Sequence, residues 1–145
     1  MNNIFSFWSG TPFTVSAPST SLNAPFAASQ RADLVKSSVD TPKLIGAAGQ
    51  WFDGSAFAQV TQSRYGTSAF NFMRGPGYGN WDIGLFRRFR MSERFDLQFR
   101  AEAFNFSNTP HFNNPNGTTN DSANYGRVLG SFGERQYRFG LRFGF

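Results

Sequence analysis

Large apolar side chains occupy every second position at the end of the chain. They are those of Tyr137, Phe139, Leu141, Phe143 and Phe145, and the residues between them are Arg138, Gly140, Arg142 and Gly144. An alternation with a period of two is typical of a β-strand that has one apolar and one polar face. The pattern therefore predicts a final strand over residues 136–145.

Three further strands are predicted by the same kind of pattern. The second and third are "WDIGLFRRFR" at 81–90 and "RFDLQFRAEAFNF" at 94–106. A first strand lies within 2–16, with a break at Gly10–Pro12 because glycine and proline interrupt strands. The sequence thus favours an all-β fold, an antiparallel meander of about four to five strands.

The remaining segments are rich in Asn, Ser, Gly, Thr and Pro. This composition predicts loops at 18–80 and 107–135. Helical turns are expected only around 30–38 and 48–59, where glycine and serine interrupt a weak helical pattern. Loops this long are uncommon in compact domains, so they indicate either a functional role or an unusual architecture.

The second and third strands are separated only by Met91, Ser92 and Glu93, which predicts a hairpin with a three-residue turn. The pairs expected from that turn are Phe89 with Phe95, Leu85 with Phe99, Ile83 with Ala101 and Arg88 with Asp96. Arg87 falls on the apolar face opposite Leu97 in this register. We expect it to extend its guanidinium towards water or to sit at a bulge.

The third strand has one apolar and one charged face. Phe95, Leu97, Phe99, Ala101 and Ala103 alternate with Asp96, Gln98, Arg100 and Glu102. Such a sheet occurs in soluble sandwiches, which are commoner, and in outer-membrane barrels, where the apolar face meets lipid. The dense charge of the polar face and the aromatic residues near the strand ends favour the barrel.

The lengths of the connections also favour a barrel. Outer-membrane barrels have short periplasmic turns and longer extracellular loops. With the C-terminus in the periplasm, 107–135 and 18–80 both become extracellular loops, and 91–93 becomes a periplasmic turn. The topology is therefore self-consistent.

The composition offers little material for catalysis. The 145 residues contain no cysteine and one histidine, His111, which is expected to be an exposed loop residue. Disulfides, thiolate metal sites and cysteine nucleophiles are excluded, and no "GxSxG" elbow supports a serine triad. "RGPGYGN" at 74–80 lacks the Lys-Ser/Thr ending of a phosphate loop and precedes a strand. We expect no enzyme activity, no catalytic residue, no metal site and no cofactor.

Several segments carry a resemblance to a known family. "RGPGYGNWDIGLFRRF" at 74–89 and "LQFRAEAFNFSNTPHFNNPNG" at 97–117 resemble the C-terminal barrel segment of TonB-dependent outer-membrane receptors. The nearest type is the carboxypeptidase-regulatory-domain-bearing group of Acidobacteria and related bacteria. "SGTPFTV" at 9–15, "WFDGSAFA" at 51–58 and "YGRVLGSFGERQYRFGLRFGF" at 125–145 fit in the same order.

The resemblance implies that residues 1–145 are the C-terminal part of a larger transmembrane β-barrel in the bacterial outer membrane. Family members carry a signal peptide, an energy-coupling box and a plug domain inside a barrel of about 22 strands. None of these is present here, so the chain is interpreted as a C-terminal fragment or a truncated gene product. The implied function is nutrient uptake, for which this segment supplies closing strands, an assembly signal and extracellular loops.

The resemblance also implies roles for particular residues. The assembly signal comprises Tyr137, Phe139, Leu141, Phe143 and Phe145. The lumen-facing residues are Asp96, Arg100, Glu102, Arg138 and Arg142, which either contact substrate or plug, or pair across strands on a wetted face. The membrane-facing residues are Trp81, Ile83, Leu85, Phe95, Leu97 and Phe99. The implied partners are outer-membrane lipid, the barrel-assembly machinery, the TonB complex through the missing N-terminal part, and an unidentified nutrient.

The alternative is a small soluble β protein that binds single-stranded nucleic acid or another anionic partner. A net charge of +5 and 26 aromatic residues permit it. A stacking platform, however, needs aromatic and basic side chains on the same face, and alternation separates Phe from Arg. The RNP1 pattern of RNA-recognition modules is also missing. We therefore expect no nucleic-acid partner.

Overall fold

The alternating segments form one antiparallel sheet in a computed structural model that describes residues 1–22, 29–46 and 49–145. Twelve strands occur in these ranges, together with short 3-10 helices at Thr20–Leu22 and Gly54–Ala56 and no α-helix. The strands are β1 (Asn2–Trp8), β2 (Pro12–Phe13), β3 (Ser16–Pro18), β4 (Ser29–Arg31), β5 (Asp33–Leu34), β6 (Phe57–Ala58), β7 (Met73–Arg74), β8 (Tyr78–Arg90), β9 (Asp96–Phe104), β10 (His111–Phe112), β11 (Ser131–Phe132) and β12 (Gln136–Gly144). The all-β fold class is confirmed.

The four long strands pair in the order β1-β8-β9-β12, and each neighbouring pair is antiparallel. Trp8 pairs with Tyr78, and Phe104 pairs with Gln136. Both long connections therefore leave and re-enter the sheet at the same end, and the short β8–β9 turn lies at the other. In the described ranges, no helix is long and apolar enough to span a bilayer.

The register expected for the β8–β9 hairpin was wrong by two residues. Phe89 pairs with Leu97, Leu85 with Ala101, Ile83 with Ala103, Arg87 with Phe99 and Arg88 with Gln98. The turn has five residues because the carbonyl oxygen of Phe95 accepts hydrogen bonds from the backbone N–H groups of Met91 and Ser92. A shift by two preserves the faces, since side chains alternate with a period of two.

Backbone contacts divide the chain into two units. The sheet unit contains Met1–Ser9, Gly77–His111 and Phe132–Phe145, and the loop unit contains Gly10–Pro76 and Phe112–Ser131. The segments expected to be unstructured loops therefore fold. In the loop unit β2 pairs with β7, β3 with β4 and β5 with β6. The parts of these segments at 23–28 and 47–48 lie outside the described residues.

The helical turns expected at 30–38 were also wrong. The structure has β4 and β5 there, because Gln30 and Ala32 point inwards and the N–H of Ala32 donates to the carbonyl of Val15. In the segment 48–59, whose first residue is not described, one 3-10 helix forms. Asp53 caps it by accepting a hydrogen bond from the Ser55 N–H at 3.0 Å.

An aromatic cluster forms the core of the loop unit. Phe52 is fully buried, and its ring lies 5.9 Å from Phe13, 5.8 Å from Phe57 and 5.5 Å from Tyr125, centroid to centroid. The Tyr125 hydroxyl donates to the Gly54 carbonyl at 3.3 Å, and burial raises the pKa of Tyr125. Aromatic side chains bury much apolar area each, so a few of them stabilise a unit made of very short strands.

Two partly exposed ion pairs link segments of the loop unit. Arg64 binds Asp33 through both carboxylate oxygens, at 2.7 and 2.8 Å, and this pair lowers the pKa of Asp33. Lys36 lies 2.6 Å from Asp53, and its hydrogen bond, with those from Ser55, lowers the pKa of Asp53 to about 2. Each cation therefore favours the ionised form of its partner carboxylate.

Candidate functional site

The four-stranded sheet presents one continuous apolar face. Directly paired residues share a face, so the register places Phe139 beside Ala101 and Leu141 beside Phe99. Among the residues expected to face a membrane, the structure brings five to this face: Trp81, Ile83, Leu85, Leu97 and Phe99. Phe139 and Leu141 are 74 % and 72 % exposed. An apolar sheet face this open indicates a surface that meets a nonaqueous partner.

Phe95 is the sixth of the expected membrane-facing residues, and its position differs. It lies in the β8–β9 turn, one residue before β9 begins, and its ring stacks on that of Phe143 at 5.6 Å. Phe143 belongs to the apolar face. Phe95 therefore extends that face at its turn end, although it is not part of a strand.

Arg87 remains the one charged residue among these apolar side chains. It pairs with Phe99, and its guanidinium carbon lies 5.5 Å from the centre of the Phe89 ring. A cation over an aromatic face is stabilised by the ring's quadrupole, even where water is scarce. The strand continues unbroken through Arg87, so the bulge considered from the sequence does not form.

Aromatic residues concentrate towards both ends of the apolar face. Near the end with the long connections, Trp81 stacks on Phe5 at 5.0 Å and meets Phe106 edge-on at 5.0 Å. At the turn end, Phe143 lies against Phe95 and 6.5 Å from Phe145. Such bands of aromatic side chains are typical of the two interfaces of an outer-membrane barrel.

The strand lengths suit the thickness of an outer membrane. β9 and β12 each have nine residues, and β8 has 13. Nine residues at roughly 3.4 Å each extend about 30 Å, and a tilt of about 40° reduces this to about 23 Å. That height approaches the apolar band of about 25 Å on the outside of transmembrane barrels.

The opposite face is charged. All five residues expected to face a lumen lie on it: Asp96, Arg100, Glu102, Arg138 and Arg142. Arg88 binds both carboxylate oxygens of Asp96, at 3.0 and 2.9 Å, across the diagonal of the corrected register. Arg100 lies 3.7 Å from Glu102. Cross-strand charge pairing thus accounts for part of this face, and its orientation towards a lumen stays a prediction.

Two phenylalanines share the polar face with the arginines, which alternation alone did not reveal. The guanidinium carbon of Arg100 lies 4.8 Å from the Phe86 ring centre, and that of Arg138 lies 4.9 Å from the Phe104 ring centre. Each ring holds an arginine against the sheet. Trp8 and Tyr78 also lie on this face, but their rings stack on one another at 4.9 Å and Tyr78 stacks on His111 at 4.1 Å. These aromatic faces are therefore engaged within the protein, whereas a single-strand binder presents its aromatic faces to successive bases.

β12 is an edge of the sheet, and no described residue pairs with its outer side. Four of the five residues of the expected assembly signal share the apolar face: Tyr137, Phe139, Leu141 and Phe143. Phe145 follows the strand and is 96 % exposed. An exposed edge with unpaired backbone groups is a template for pairing with another strand, which suits a recognition role that stays a prediction.

The sequence reasoning missed Asn105, which closes the far end of β9. Its backbone is left-handed (φ 48°), and its N–H donates to Asp82 at 2.9 Å. Its side-chain amide donates to the carbonyls of Thr109 and Gly133 at 2.9 and 2.6 Å, and its Oδ1 accepts from the Thr109 N–H. The "FNFSNTP" stretch could have signalled it, since asparagine tolerates this backbone and caps turns.

His111 is buried, so the expectation of an exposed loop residue was wrong. Its ring stacks on Tyr78 at 4.1 Å and meets Phe132 edge-on at 5.4 Å. His111 begins β10, which pairs with β11. In the part of the chain that the structure describes, no three His, Asp or Glu side chains group as metal ligands would.

Comparison with known proteins identifies the family to which the chain is similar. A family model described as "Outer membrane beta barrel domain" matches residues 1–138, nearly the whole chain. No curated protein and no solved structure matches the chain. The matched range includes β1, β8 and β9 in full and the first residues of β12.

Proposed function

The chain belongs to the outer membrane beta barrel domain family, and from this premise we propose that it is the C-terminal barrel segment of a TonB-dependent transporter. Its location is the bacterial outer membrane. In the proposal, the sheet unit supplies strands of a larger barrel that takes up a nutrient, and the loop unit is extracellular. Transport is energised by the TonB complex through a plug domain outside this chain.

One observation carries the barrel part of the proposal. The sheet is apolar and open on one face and charged on the other, as a barrel wall between lipid and lumen would be. A soluble sandwich would cover the apolar face with a second sheet. Four strands cannot close a barrel, since the smallest have about eight. The open edges of β1 and β12 are where further strands would pair.

The TonB-dependent part rests on the sequence resemblance. The stretches "RGPG" and "FRAEAFNFSN" and the alternating end at Phe145 support it. We also propose that the chain has no catalytic role, because barrel walls act by enclosing a path. Its other partners are lipid on the apolar face and the barrel-assembly machinery at β12.

Genetic interaction tests the transport proposal without knowledge of the nutrient. Source cells lacking the protein, cells lacking TonB and cells lacking both would be grown on a panel of scarce nutrients. On any nutrient for which loss of the protein slows growth, we expect the double loss to equal the loss of TonB alone. An additive defect would mean that the protein works independently of TonB.

Removal of Phe145 tests the assembly role. Deletion of this residue from the native polypeptide should reduce its amount in the outer membrane severely, because the final aromatic side chain is the proposed recognition element. Phe145→Tyr is the matched control, since it keeps an aromatic ring at the same place, and near-normal assembly is expected. Normal assembly of the deletion variant would refute the role.

A further inference from the structure

The last strand repeats arginine and glycine on its polar face. Arg138, Gly140, Arg142 and Gly144 alternate there, because the sequence "RFGLRFG" has a period of four and a strand has a period of two. Gly140 has no side chain to cover the sheet, whereas the Asp96 carboxylate occupies the space beside Gly144. Arg138 and Arg142 are therefore separated by uncovered main chain at Gly140, here called the open floor, instead of by a bulky side chain.

This open floor forms a shallow groove over the paired strands β9 and β12. It has a volume of about 350 Å³ and is lined by Gln98, Arg100, Gly140 and Arg142 and by the main chain of Leu141, whose side chain lies on the apolar face. A Cβ placed on Gly140 would come no nearer than 3.8 Å to any atom, an ordinary contact, so the floor is open to a small molecule. The volume lies at the lower end of the range for small-molecule sites.

The charges at the groove are incompletely neutralised. Five arginines lie on the polar face against three carboxylates: Arg88, Arg90, Arg100, Arg138 and Arg142 against Asp82, Asp96 and Glu102. Asp96 is bound by Arg88, and Glu102 is 3.7 Å from Arg100. Among the described residues, Arg142 has no carboxylate within 4 Å.

Arg100 and Arg142 are diagonal neighbours across the strand pair, since Arg100 pairs with Gly140 and Arg142 pairs with Gln98. Diagonal neighbours lie about 7–8 Å apart, and two like charges at that distance repel one another. An anion between them would remove the repulsion and accept hydrogen bonds from both guanidinium groups. The ring of Phe86, 4.8 Å from the Arg100 guanidinium, already orients one of the two.

We infer that this groove is a binding site for a dissolved small anion that bears carboxylate or phosphate groups. The guanidinium fork matches the oxygen pairs of these groups, and the Gln98 amide supplies a further donor. The face lies opposite the apolar, lipid-directed one, so the ligand comes from water and not from a lipid headgroup. The inference rests on the proposed function in one respect, because it names the chemical class of solute that would move through the lumen along this charged face.

The test measures binding to the purified native polypeptide in detergent by calorimetry. Citrate and inorganic phosphate are the probes, and glycerol is the neutral control. We expect citrate or phosphate to bind, glycerol not to bind, and affinity to fall as salt rises. Micelles containing phosphatidylglycerol should not compete, and strong competition would assign the site to lipid headgroups and overturn the inference.

Three variants make the test specific. Arg142→Gln should weaken anion binding about tenfold, since a charge-assisted hydrogen bond is lost. Gly140→Val should abolish binding by filling the floor without changing any charge. Arg87→Gln removes the same charge from the opposite face and should leave binding unchanged. Equal losses in Arg142→Gln and Arg87→Gln would overturn the inference, as would no binding of either anion by the wild type.

The outcome is separable from that of the transport proposal. Binding is measured on purified protein and needs no TonB, so additive growth defects with intact anion binding would leave the site standing and remove the transporter. TonB dependence without anion binding would support the transporter and rule out the anion site. A heat-stable folded band in electrophoresis, compared with the wild type, verifies that each variant is folded.

Discussion

A substitution to arginine at the centre of the apolar face should lower the stability of the folded protein in lipid far more than a substitution to arginine one residue away on the polar face. Leu141 and Gly140 are neighbours at the middle of β12, at nearly the same depth, and their side-chain positions point to opposite faces. Leu141→Arg would place a guanidinium in lipid, whereas Gly140→Arg would place it in the open groove. The two variants therefore differ mainly in whether the new guanidinium meets lipid or water.

The magnitude follows from the depth. Arginine on the lipid face near the bilayer midplane costs about 2–4 kcal/mol, so Leu141→Arg should lower the folded-to-unfolded ratio in lipid about 100-fold. Phe143→Arg, nearer the turn end, should cost about 1 kcal/mol, because the cost falls towards the interface. Gly140→Arg should cost less than about 1 kcal/mol.

The assay is urea titration of the native polypeptide refolded into phospholipid vesicles, with the folded fraction measured by gel mobility. The wild type should fold only when lipid or detergent is present. Equal destabilisation by Leu141→Arg and Gly140→Arg would refute the assignment of faces. Folding of the wild type in plain buffer, with Phe143→Arg costing as much as Leu141→Arg, would indicate a packed soluble core.

Three further predictions concern Asn105 in the sheet unit and Asp53 and Gly10 in the loop unit. Asn105→Ala should destabilise the sheet unit by about 3–4 kcal/mol, because three side-chain hydrogen bonds at about 1 kcal/mol each are lost and alanine disfavours φ 48° by about 1 kcal/mol. Asn108 also has a left-handed backbone (φ 53°), but its side chain is exposed, so Asn108→Ala should lower the free energy of unfolding by only about 1 kcal/mol in the same urea titration. Equal losses of stability in the two variants would contradict the role of the Asn105 amide. The folded pKa of Asp53 is about 2 against an ordinary 3.8, so its ion pair with Lys36 should stabilise the loop unit fully above pH 3.8 and fail as the pH falls through 2. Tryptophan fluorescence between pH 5 and 1.5 should show this loss of stability, and the loss should be smaller in Asp53→Asn. An acid profile of Asp53→Asn identical to that of the wild type would show that the ion pair does not stabilise the loop unit. Gly10→Ala should destabilise the loop unit by about 1–3 kcal/mol in urea, because its Cβ would lie 1.7 Å from a backbone carbonyl oxygen, and a wild-type midpoint would show that the close approach is not needed.

The alternation of apolar and polar residues was sufficient to predict the sheet. In β9 and β12 every second side chain is apolar, and a period of two leaves few alternatives to a strand. The assignment of residues to the two faces also survived the error in register, because the error was an even number of residues. Turn length was not predictable from the pattern, since Phe95 looks like a strand residue but its carbonyl closes the turn.

The loop unit could not be predicted from periodicity. Its strands have two or three residues each, which is too short for any repeat to be detected. Its core is brought together by residues far apart in the sequence, such as Phe13, Phe52 and Tyr125. Glycine and asparagine made the segment look unstructured, yet Gly10 is needed there because the backbone passes too close for a side chain.

The polar site was predictable in part. The sequence indicated that Arg100, Arg138 and Arg142 share a face, but the pairing of Gly140 with Arg100 depends on a register that only the structure provides. The burial of His111 against Tyr78 and Phe132 was likewise beyond the sequence, since the three residues are distant along the chain. Long-range register and loop packing are therefore what the sequence pattern left open.

The size and location of the native polypeptide would show whether this sheet belongs to a larger barrel. An antibody raised against the Asn113–Asn124 segment would be used to blot fractionated source cells. We expect a large polypeptide in the outer-membrane fraction, because a four-stranded sheet with open edges needs further strands to form a barrel. A band near 16.2 kDa in the cytosol would contradict it and would identify a free-standing soluble β protein.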